Sequence, residues 1–243
     1  MQRSAPRFSR ILACAAVPVM LVAAGCSSGS DSGDKGSGSS DASSSVSATP
    51  TPSQSTKAVE PARYAKLPEV CKAISAKTIE TLVPKAKNKN GTAAASSDVT
   101  SRGGCAWNGL EDKGVKGSQY RWLDVSFYRY ASDATLGSGQ ERAAESYTKE
   151  LAKVQATPGA KKLRTVAAPG IGDKAESVAF ELRKTDEDFK YASVVARTGN
   201  VVVLLSFNGA GYAGAKTPSD KWILDGALKA AKEAVASVAA ANQ

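Results

Sequence analysis

Histidine is absent from this chain of 243 residues, and cysteine occurs only four times. Without histidine the chain cannot build a Ser-His-Asp triad, a Cys-His pair or the commonest zinc sites. No other recognisable catalytic motif is present. The sequence therefore predicts a protein that is not an enzyme and that uses no cofactor or bound metal.

Long hydrophobic runs are also missing. The apolar stretch Ile11–Ala24 is too short for a membrane span, which takes about 20 apolar residues. Three arginines precede it and small residues follow it, which is typical of a secretory signal. The sequence Val-Ala-Ala-Gly-Cys at 22–26 resembles a bacterial lipobox. We therefore predict a lipoprotein signal peptide over residues 1–25 and lipidation of Cys26.

The stretch Ser27–Thr56 is almost wholly Ser, Gly, Thr, Asp and Pro. Such a composition cannot offset the entropy of ordering, so residues 26–60 are predicted to form a disordered tether. Acyl chains of the palmitate type on Cys26 would hold the protein in the lipid bilayer. The predicted location is the outer face of the cytoplasmic membrane, exposed to the cell wall.

Residues 61–243 have the length of one globular domain. The whole chain carries a net charge of +9; the signal holds three arginines and the tether contributes −2, which leaves +8 for the domain. Export argues against nucleic acid as a partner. Anionic lipid head groups and wall polymers are the better candidates for a basic surface, and solubility alone is the alternative explanation.

Cysteine usage predicts one disulfide. Cys14 leaves with the signal and Cys26 is the predicted anchor, so Cys71 and Cys105 remain. Two thiols in an oxidising compartment are expected to pair. A metal pair lacks histidine partners, and redox motifs place their cysteines closer together in sequence.

Hydrophobic periodicity predicts an α+β fold. Helices are expected over Val70–Val83, in a segment ending near Val154, and from Thr217 onward, with Thr217 as N-cap. Three consecutive strands exclude a doubly wound parallel sheet. We predict an antiparallel sheet of about five strands, packed with helices in a two- or three-layer sandwich. The predicted strands are 103–107, 120–130, 177–183, 189–197 and 201–207.

The segment Tyr120–Tyr130 alternates with period two. Leu123 and its neighbours two residues apart form the face expected in the core. The opposite face is a candidate ligand platform, and cross-strand packing is the alternative explanation. That face carries Tyr120, Trp122, Tyr128 and Tyr130.

A glycine motif, Gly209-x-Gly211-x-x-Gly214, follows the last predicted strand. A dinucleotide site would need a helix opening at the glycines and a second parallel strand after it. The chain instead ends in its last helix. We therefore predict a mobile glycine loop, able to act as a lip over a pocket.

Several short motifs resemble the actinobacterial DUF3558 family of secreted lipoproteins. They are the lipobox, the Ser-rich tether, Leu67-Pro68-Glu69-Val70-Cys71, Cys105-Ala106-Trp107 and Pro169–Ala175. The resemblance implies an exported, membrane-anchored domain with paired cysteines, and a sandwich of the PsbP/Mog1-like type. It implies no catalytic residues.

Two functions are consistent with these features. The first is a non-catalytic interaction or accessory module of the cell envelope that binds an envelope protein or a wall polymer. The alternative is a lipoprotein that binds a small apolar molecule or lipid in a pocket between the sheet and its helices. A closed apolar pocket would favour the second function.

Overall fold

The computed structural model describes residues 58–243. Cys26, the predicted signal peptide and the predicted tether up to residue 57 lie outside the described residues. The described elements are a short 3-10 helix Val70–Lys72, α1 Ala76–Leu82, β1 Thr92–Ala93, β2 Arg102–Asp112, a 3-10 turn Gly114–Lys116, β3 Ser118–Arg129, α2 Gly139–Gln155, β4 Lys161–Ala167, β5 Lys174–Lys184, β6 Glu187–Thr198, β7 Val201–Tyr212 and α3 Asp220–Ala241.

The strands form one antiparallel sheet in the order β1-β2-β3-β7-β6-β5-β4. The last strand in sequence, β7, lies between β3 and β6 and is therefore the central strand of the sheet. Helices pack on both faces, which makes three layers. The predicted α+β class is confirmed.

The sheet has seven strands in the described residues, so the prediction of about five is corrected. The two additional strands are at the sheet edges. β4 has the sequence KKLRTVA and is mostly exposed, and its basic side chains hide the strand pattern while discouraging edge-to-edge pairing. β1 is two residues long and gives no periodicity to detect.

The main core lies between one face of the sheet, the first face, and the helices α1 and α3. Gly226 lets these helices approach closely, because an added Cβ would lie 2.6 Å from Leu82 Cδ2. Small side chains let α3 lie near the strands. Its buried residues are Ile223, Gly226, Ala227, Ala230, Ala231, Ala234, Val235 and Val238.

On the opposite, second face, α2 covers only part of the sheet. Ala143 and Tyr147 of α2 pack against Val195 of β6 and Val202 of β7. The ends of β3, β6 and β7 farther from these contacts carry no helix in the described residues. We call this uncovered area the open half of the second face.

Each α-helix begins at a serine whose hydroxyl accepts a hydrogen bond from a backbone N–H in the first turn. Ser75 caps α1, and Ser138 forms a full capping box with Glu141 at the start of α2. The prediction of Thr217 as the cap of α3 is wrong. Ser219 caps that helix by accepting from Trp222 N at 3.2 Å.

Cys71 and Cys105 form the predicted disulfide, which links the 3-10 helix Val70–Lys72 to strand β2. Cys105 is buried, and it pairs with Ala93 of β1 across the sheet. The link therefore fixes the segment before α1 and the β1 edge to the same strand. None of the helices within residues 58–243 has the length and apolar character needed to cross a bilayer.

Candidate functional site

The open half of the second face forms a cleft of about 510 Å³, which we call the aromatic cleft. It lies on the sheet itself and not between the sheet and a helix. Residues from β3, β6, β7 and the β5–β6 turn line it. They are Tyr120, Trp122, Asp124, Lys184, Thr185, Phe189, Tyr191, Ser206, Asn208 and Tyr212.

Cross-strand register brings the floor of the aromatic cleft together. Residues directly opposite each other on neighbouring strands point to the same face of a sheet. Asn208 of β7 pairs with Trp122 on one side and with Tyr191 on the other. Asp124 pairs in the same way with Ser206. Strand β3 and the β6–β7 hairpin, which are distant in sequence, thus place one indole, one phenol, one amide and one carboxylate side by side.

Phe189 holds the aromatic side of the cleft. Its ring centroid lies 5.9 Å from that of Tyr120, 6.2 Å from that of Tyr191 and 6.2 Å from that of Tyr212. The contacts to Tyr120 and Tyr212 are edge-to-face, a favourable arrangement for aromatic pairs. Burial raises the pKa of the Tyr120 phenol above its usual value, with added repulsion from Tyr191 and Tyr212. The Tyr120 phenol is therefore a neutral hydrogen-bonding group at physiological pH.

Asp124 is the carboxylate of this floor, and it is held in an unfavourable environment. Burial raises its pKa to about 6, while a hydrogen bond from the Trp122 indole Nε1 to Oδ1, at 2.8 Å, acts in the opposite direction. No cation of the described chain forms an ion pair with it. A carboxylate in a cleft whose pKa is raised by burial, and which has no cationic partner among the described residues, is a candidate functional residue.

Asn208 is the second polar side chain of this floor, and unlike Asp124 it has no side-chain hydrogen bond within the described residues. It is 6% exposed, and its amide makes no hydrogen bond to another described residue, although it lines the cleft. The Asn208 amide atoms are not among the buried atoms that lack a partner, so they are open to the cleft. Asp124 Oδ2 and the Asn208 amide therefore form an acceptor and a donor–acceptor group available to a ligand.

A second cleft, of about 500 Å³, lies on the other side of Trp122 and Asp124, toward the β1 edge. We call it the edge cleft. It shares these two side chains with the aromatic cleft and continues over β2 to β1. Its lining residues are Thr92, Ala93, Ala94, Gly104, Cys105, Ala106, Asn108, Trp122, Asp124, Val125 and Ser126.

The predicted ligand face is divided by α2. Tyr120 and Trp122 line the aromatic cleft. Tyr128 and Tyr130 instead pack against α2, where the Tyr130 hydroxyl donates to Ser146 Oγ at 2.6 Å. The structure therefore brings only two of the four predicted aromatics to the cleft.

The predicted mobile loop requires a correction. Gly209 and Gly211 lie inside β7 and are buried; only Gly214 is in a turn, with φ of +87°. An added Cβ at Gly209 would lie 2.9 Å from the Arg121 side chain, and one at Gly211 would lie 2.1 Å from the Ala215 carbonyl oxygen. These glycines permit close packing against the strand, which explains the motif without a phosphate or a lip.

The β5–β6 turn forms the rim of the aromatic cleft. Thr185 and Asp186 both have positive φ, as a tight two-residue hairpin turn requires. Lys184 Nζ donates to the Tyr191 hydroxyl at 2.9 Å and lies 5.1 Å from its ring centroid. Lys184 therefore lies at the rim of the cleft, hydrogen-bonded to Tyr191, and forms no ion pair with Asp124. Within residues 58–243, no group of three or more acidic, cysteine or histidine side chains is arranged to hold a metal ion.

The carboxylate should make stability depend on pH. Because Asp124 has a pKa of about 6 in the fold and about 3.9 when unfolded, its contribution is favourable below pH 4 and is lost as the pH rises through 6. We expect Asp124→Asn to gain about 2 kcal/mol relative to wild type between pH 4 and pH 7.5. Urea unfolding of both proteins at the two pH values measures this difference. A constant difference would show that Asp124 titrates normally.

Sequence reasoning identified Tyr120 and Trp122 but missed the contributions of β6 and β7. Phe189, Tyr191 and Asn208 lie on strands that were predicted, yet their pairing with β3 is not a local property of the sequence. The alternation of β3 did place Asp124 on the face of Trp122. The position of Asp124 among aromatic residues on one face of β3 is the feature of the sequence that indicates this part of the site.

Comparisons with known proteins do not identify a family for this chain. No family model matches the chain, and no curated protein matches it. Among solved structures, the chain is similar to LpqN, which is involved in cell envelope biogenesis of Mycobacterium tuberculosis. The identity is 14%, the alignment covers 59% of this chain and 82% of that chain, and the TM-score is 0.31. The DUF3558 resemblance stays a prediction, and function has to be argued from the site.

Proposed function

We propose that this protein is a lipid-anchored accessory module of the cell envelope, and that its domain binds a wall polymer on the open half of the second face. The observation that carries the proposal is the aromatic cleft, where Asp124 and Asn208 lie between aromatic rings. Asp124 accepts one hydrogen bond, from the Trp122 indole, and has no cationic partner, while the Asn208 amide has no side-chain hydrogen bond within the described residues. No chemistry on the substrate is needed for this role. The domain holds, positions or senses the polymer.

The N-terminal sequence supports the location in this proposal. A lipobox cysteine followed by about thirty small and polar residues gives a tether with a root-mean-square reach of roughly 30 Å. A domain with that reach samples the layer of wall next to the membrane. Anchoring also raises the effective concentration of the domain near any wall component, so a weak site is sufficient.

The position of the cleft supports a polymer over an enclosed small ligand. Both clefts lie on the uncovered sheet surface, and they share Trp122 and Asp124. A chain-like ligand can enter and leave such a surface at both ends. The alternative function, a pocket between sheet and helices, would have needed space at the α1 and α3 interface, where the described side chains form the main core.

The test is co-sedimentation with isolated wall material that has been freed of protein and lipid. The chain from residue 26 onward, with Cys26→Ser, retains all described residues and the tether. We expect wild type to co-sediment and Trp122→Ala to bind about tenfold more weakly, because removal of a central stacking ring costs about 1–2 kcal/mol. Depletion from the supernatant across a range of wall concentrations gives the affinities.

Tyr128→Ala is the matched control, since Tyr128 is an aromatic residue of the same strand and the same face but lies against α2. This variant should retain wild-type binding. Equal binding by Trp122→Ala and wild type would contradict the proposed site. In an actinobacterial host, the unaltered full chain should fractionate with membranes, and Cys26→Ala should lose its acyl chains.

A further inference from the structure

We propose that the aromatic cleft and the edge cleft form one continuous groove that binds an extended, neutral saccharide chain across the strands. The inference rests on the proposed function and specifies its ligand class. Trp122 and Asp124 stand at the middle of the groove, because both side chains line both clefts. Each sugar unit would meet a different strand.

The length of the groove follows from the sheet. It runs from β6 over β7, β3 and β2 to β1, which are consecutive neighbours. Adjacent strands lie about 4.8 Å apart, so the four steps span roughly 19 Å. A sugar unit in an extended glycan advances by a similar distance to one strand spacing. The groove therefore accommodates about four units, with a short oligosaccharide filling only one cleft.

The lining has the chemistry that saccharides require. A pyranose ring presents a face of C–H groups that stacks on an aromatic ring, and an edge of hydroxyls that both donate and accept hydrogen bonds. Trp122 supplies a half-buried ring for this contact; the Tyr191 ring also lines the cleft, but one of its faces stacks on Phe180. Asp124 Oδ2 supplies an acceptor, and the Asn208 amide supplies a donor and an acceptor beside them. These groups are held by strands and need little reordering on binding.

Other ligand classes fit less well. An apolar chain would cover the Asp124 carboxylate and the Asn208 amide without offering a hydrogen bond to either, which is unfavourable. An anionic polymer would place its charge against the Asp124 carboxylate. A cationic ligand would gain from Asp124 and the rings, but it would enter a domain of net charge +8 with Lys184 at the rim and would not use the Asn208 amide.

The experiment compares chain lengths by isothermal titration calorimetry with the chain from residue 26 onward carrying Cys26→Ser. The probes are neutral di- and tetrasaccharides of β-1,4-linked N-acetylglucosamine, β-1,4-linked glucose and α-1,6-linked mannose. We expect at least one tetrasaccharide to bind about tenfold or more tightly than its disaccharide, because it contacts both clefts. Binding should change the fluorescence of Trp122, since Trp107 is buried and Trp222 packs on Phe207.

Two variants separate the clefts. Thr92→Leu narrows the edge cleft at a distance from the aromatic cleft, because Thr92 lines only the former and pairs with Ala106 and not with a residue of the aromatic cleft. This variant should bind the tetrasaccharide only as tightly as the disaccharide, and its affinity for the disaccharide should equal that of wild type. Asn208→Ala, in the aromatic cleft, should weaken both ligands about tenfold. Near-ultraviolet circular dichroism confirms that both variants are folded.

The outcomes are decisive and separable from the proposed function. Binding of no neutral oligosaccharide, or equal affinity for two and four units, overturns the inference. Binding of tetramethylammonium in place of every sugar also overturns it, in favour of a cation site. If wall material still co-sediments in a Trp122-dependent manner, the proposed function stands while the saccharide groove is rejected. Loss of both results rejects both.

Discussion

Replacement of Asn200 by alanine is expected to lower the free energy of unfolding by about 3 kcal/mol, because three buried hydrogen bonds lose their common partner. Asn200 is fully buried at the end of the β6–β7 turn. Its Oδ1 accepts from Tyr64 N at 2.7 Å, and its Nδ2 donates to Tyr64 O at 3.0 Å and to Tyr130 O at 2.7 Å. One side chain thus joins three separate segments of the chain.

The size of the effect comes from the groups that remain. Alanine removes the amide but leaves one backbone N–H and two carbonyls buried, and each unsatisfied group costs about 1–3 kcal/mol. Water that enters the space would recover part of this loss. For a domain of this size, a loss of about 3 kcal/mol corresponds to a fall in Tm of about 6–12 °C. Thermal and urea unfolding followed by circular dichroism measure it.

Asn208→Ala is the matched control. Asn208 is also nearly buried, but its amide has no side-chain hydrogen bond within the described part of the chain. Its replacement should change the free energy of unfolding by less than about 1 kcal/mol while weakening ligand binding. The two asparagines therefore separate a structural role from a binding role. Equal loss of stability in both variants would show that the Tyr64 and Tyr130 contacts are not what Asn200 contributes.

The comparison of β3 and β7 shows how far sequence reasoning reaches. Side-chain alternation along β3 predicted correctly that Leu123 and Trp122 point to opposite faces, because period two is a local property. The division of the Trp122 face into a covered and an open half depends on where α2 packs. That position is decided by contacts between α2 and β6–β7, which no local pattern specifies.

The glycine motif led to a wrong prediction, because tertiary packing and not local sequence determines the backbone conformation there. Gly209 and Gly211 predicted a loop because glycine is frequent in loops, yet both are in β7, where Arg121 and Ala215 leave no room for a side chain. Arg121 itself lies on the first face and is buried over the Trp222 ring, 5.0 Å from its centroid. A charged residue at a core position of β3 indicated that the neighbouring strand has to leave space for its side chain, as Gly209 does.

Removal of the disulfide is the other change with a large expected effect. Cys71 and Cys105 are 34 residues apart, and in the chain-entropy model closing such a loop stabilises the fold by about 3–4 kcal/mol. We expect the Cys71→Ala, Cys105→Ala double variant to lose about that amount in urea unfolding. Wild type with a thiol reductant present throughout unfolding and refolding should lose a similar amount. The reductant should have no effect on the double variant, which controls for actions elsewhere.

The disulfide also connects stability to the groove. Cys105 pairs with Ala93 of β1, and backbone from both strands lines the edge cleft, whereas the aromatic cleft has no contact with this region other than through Trp122 and Asp124. The two-residue strand β1 forms only two residue pairs with β2, and the 3-10 helix that the disulfide fixes to β2 contacts β1. The double variant, at a temperature where it stays folded, should therefore lose affinity for a tetrasaccharide while a disaccharide binds as before. Equal loss for both ligands would mean that the disulfide supports the whole sheet evenly and not the edge cleft in particular.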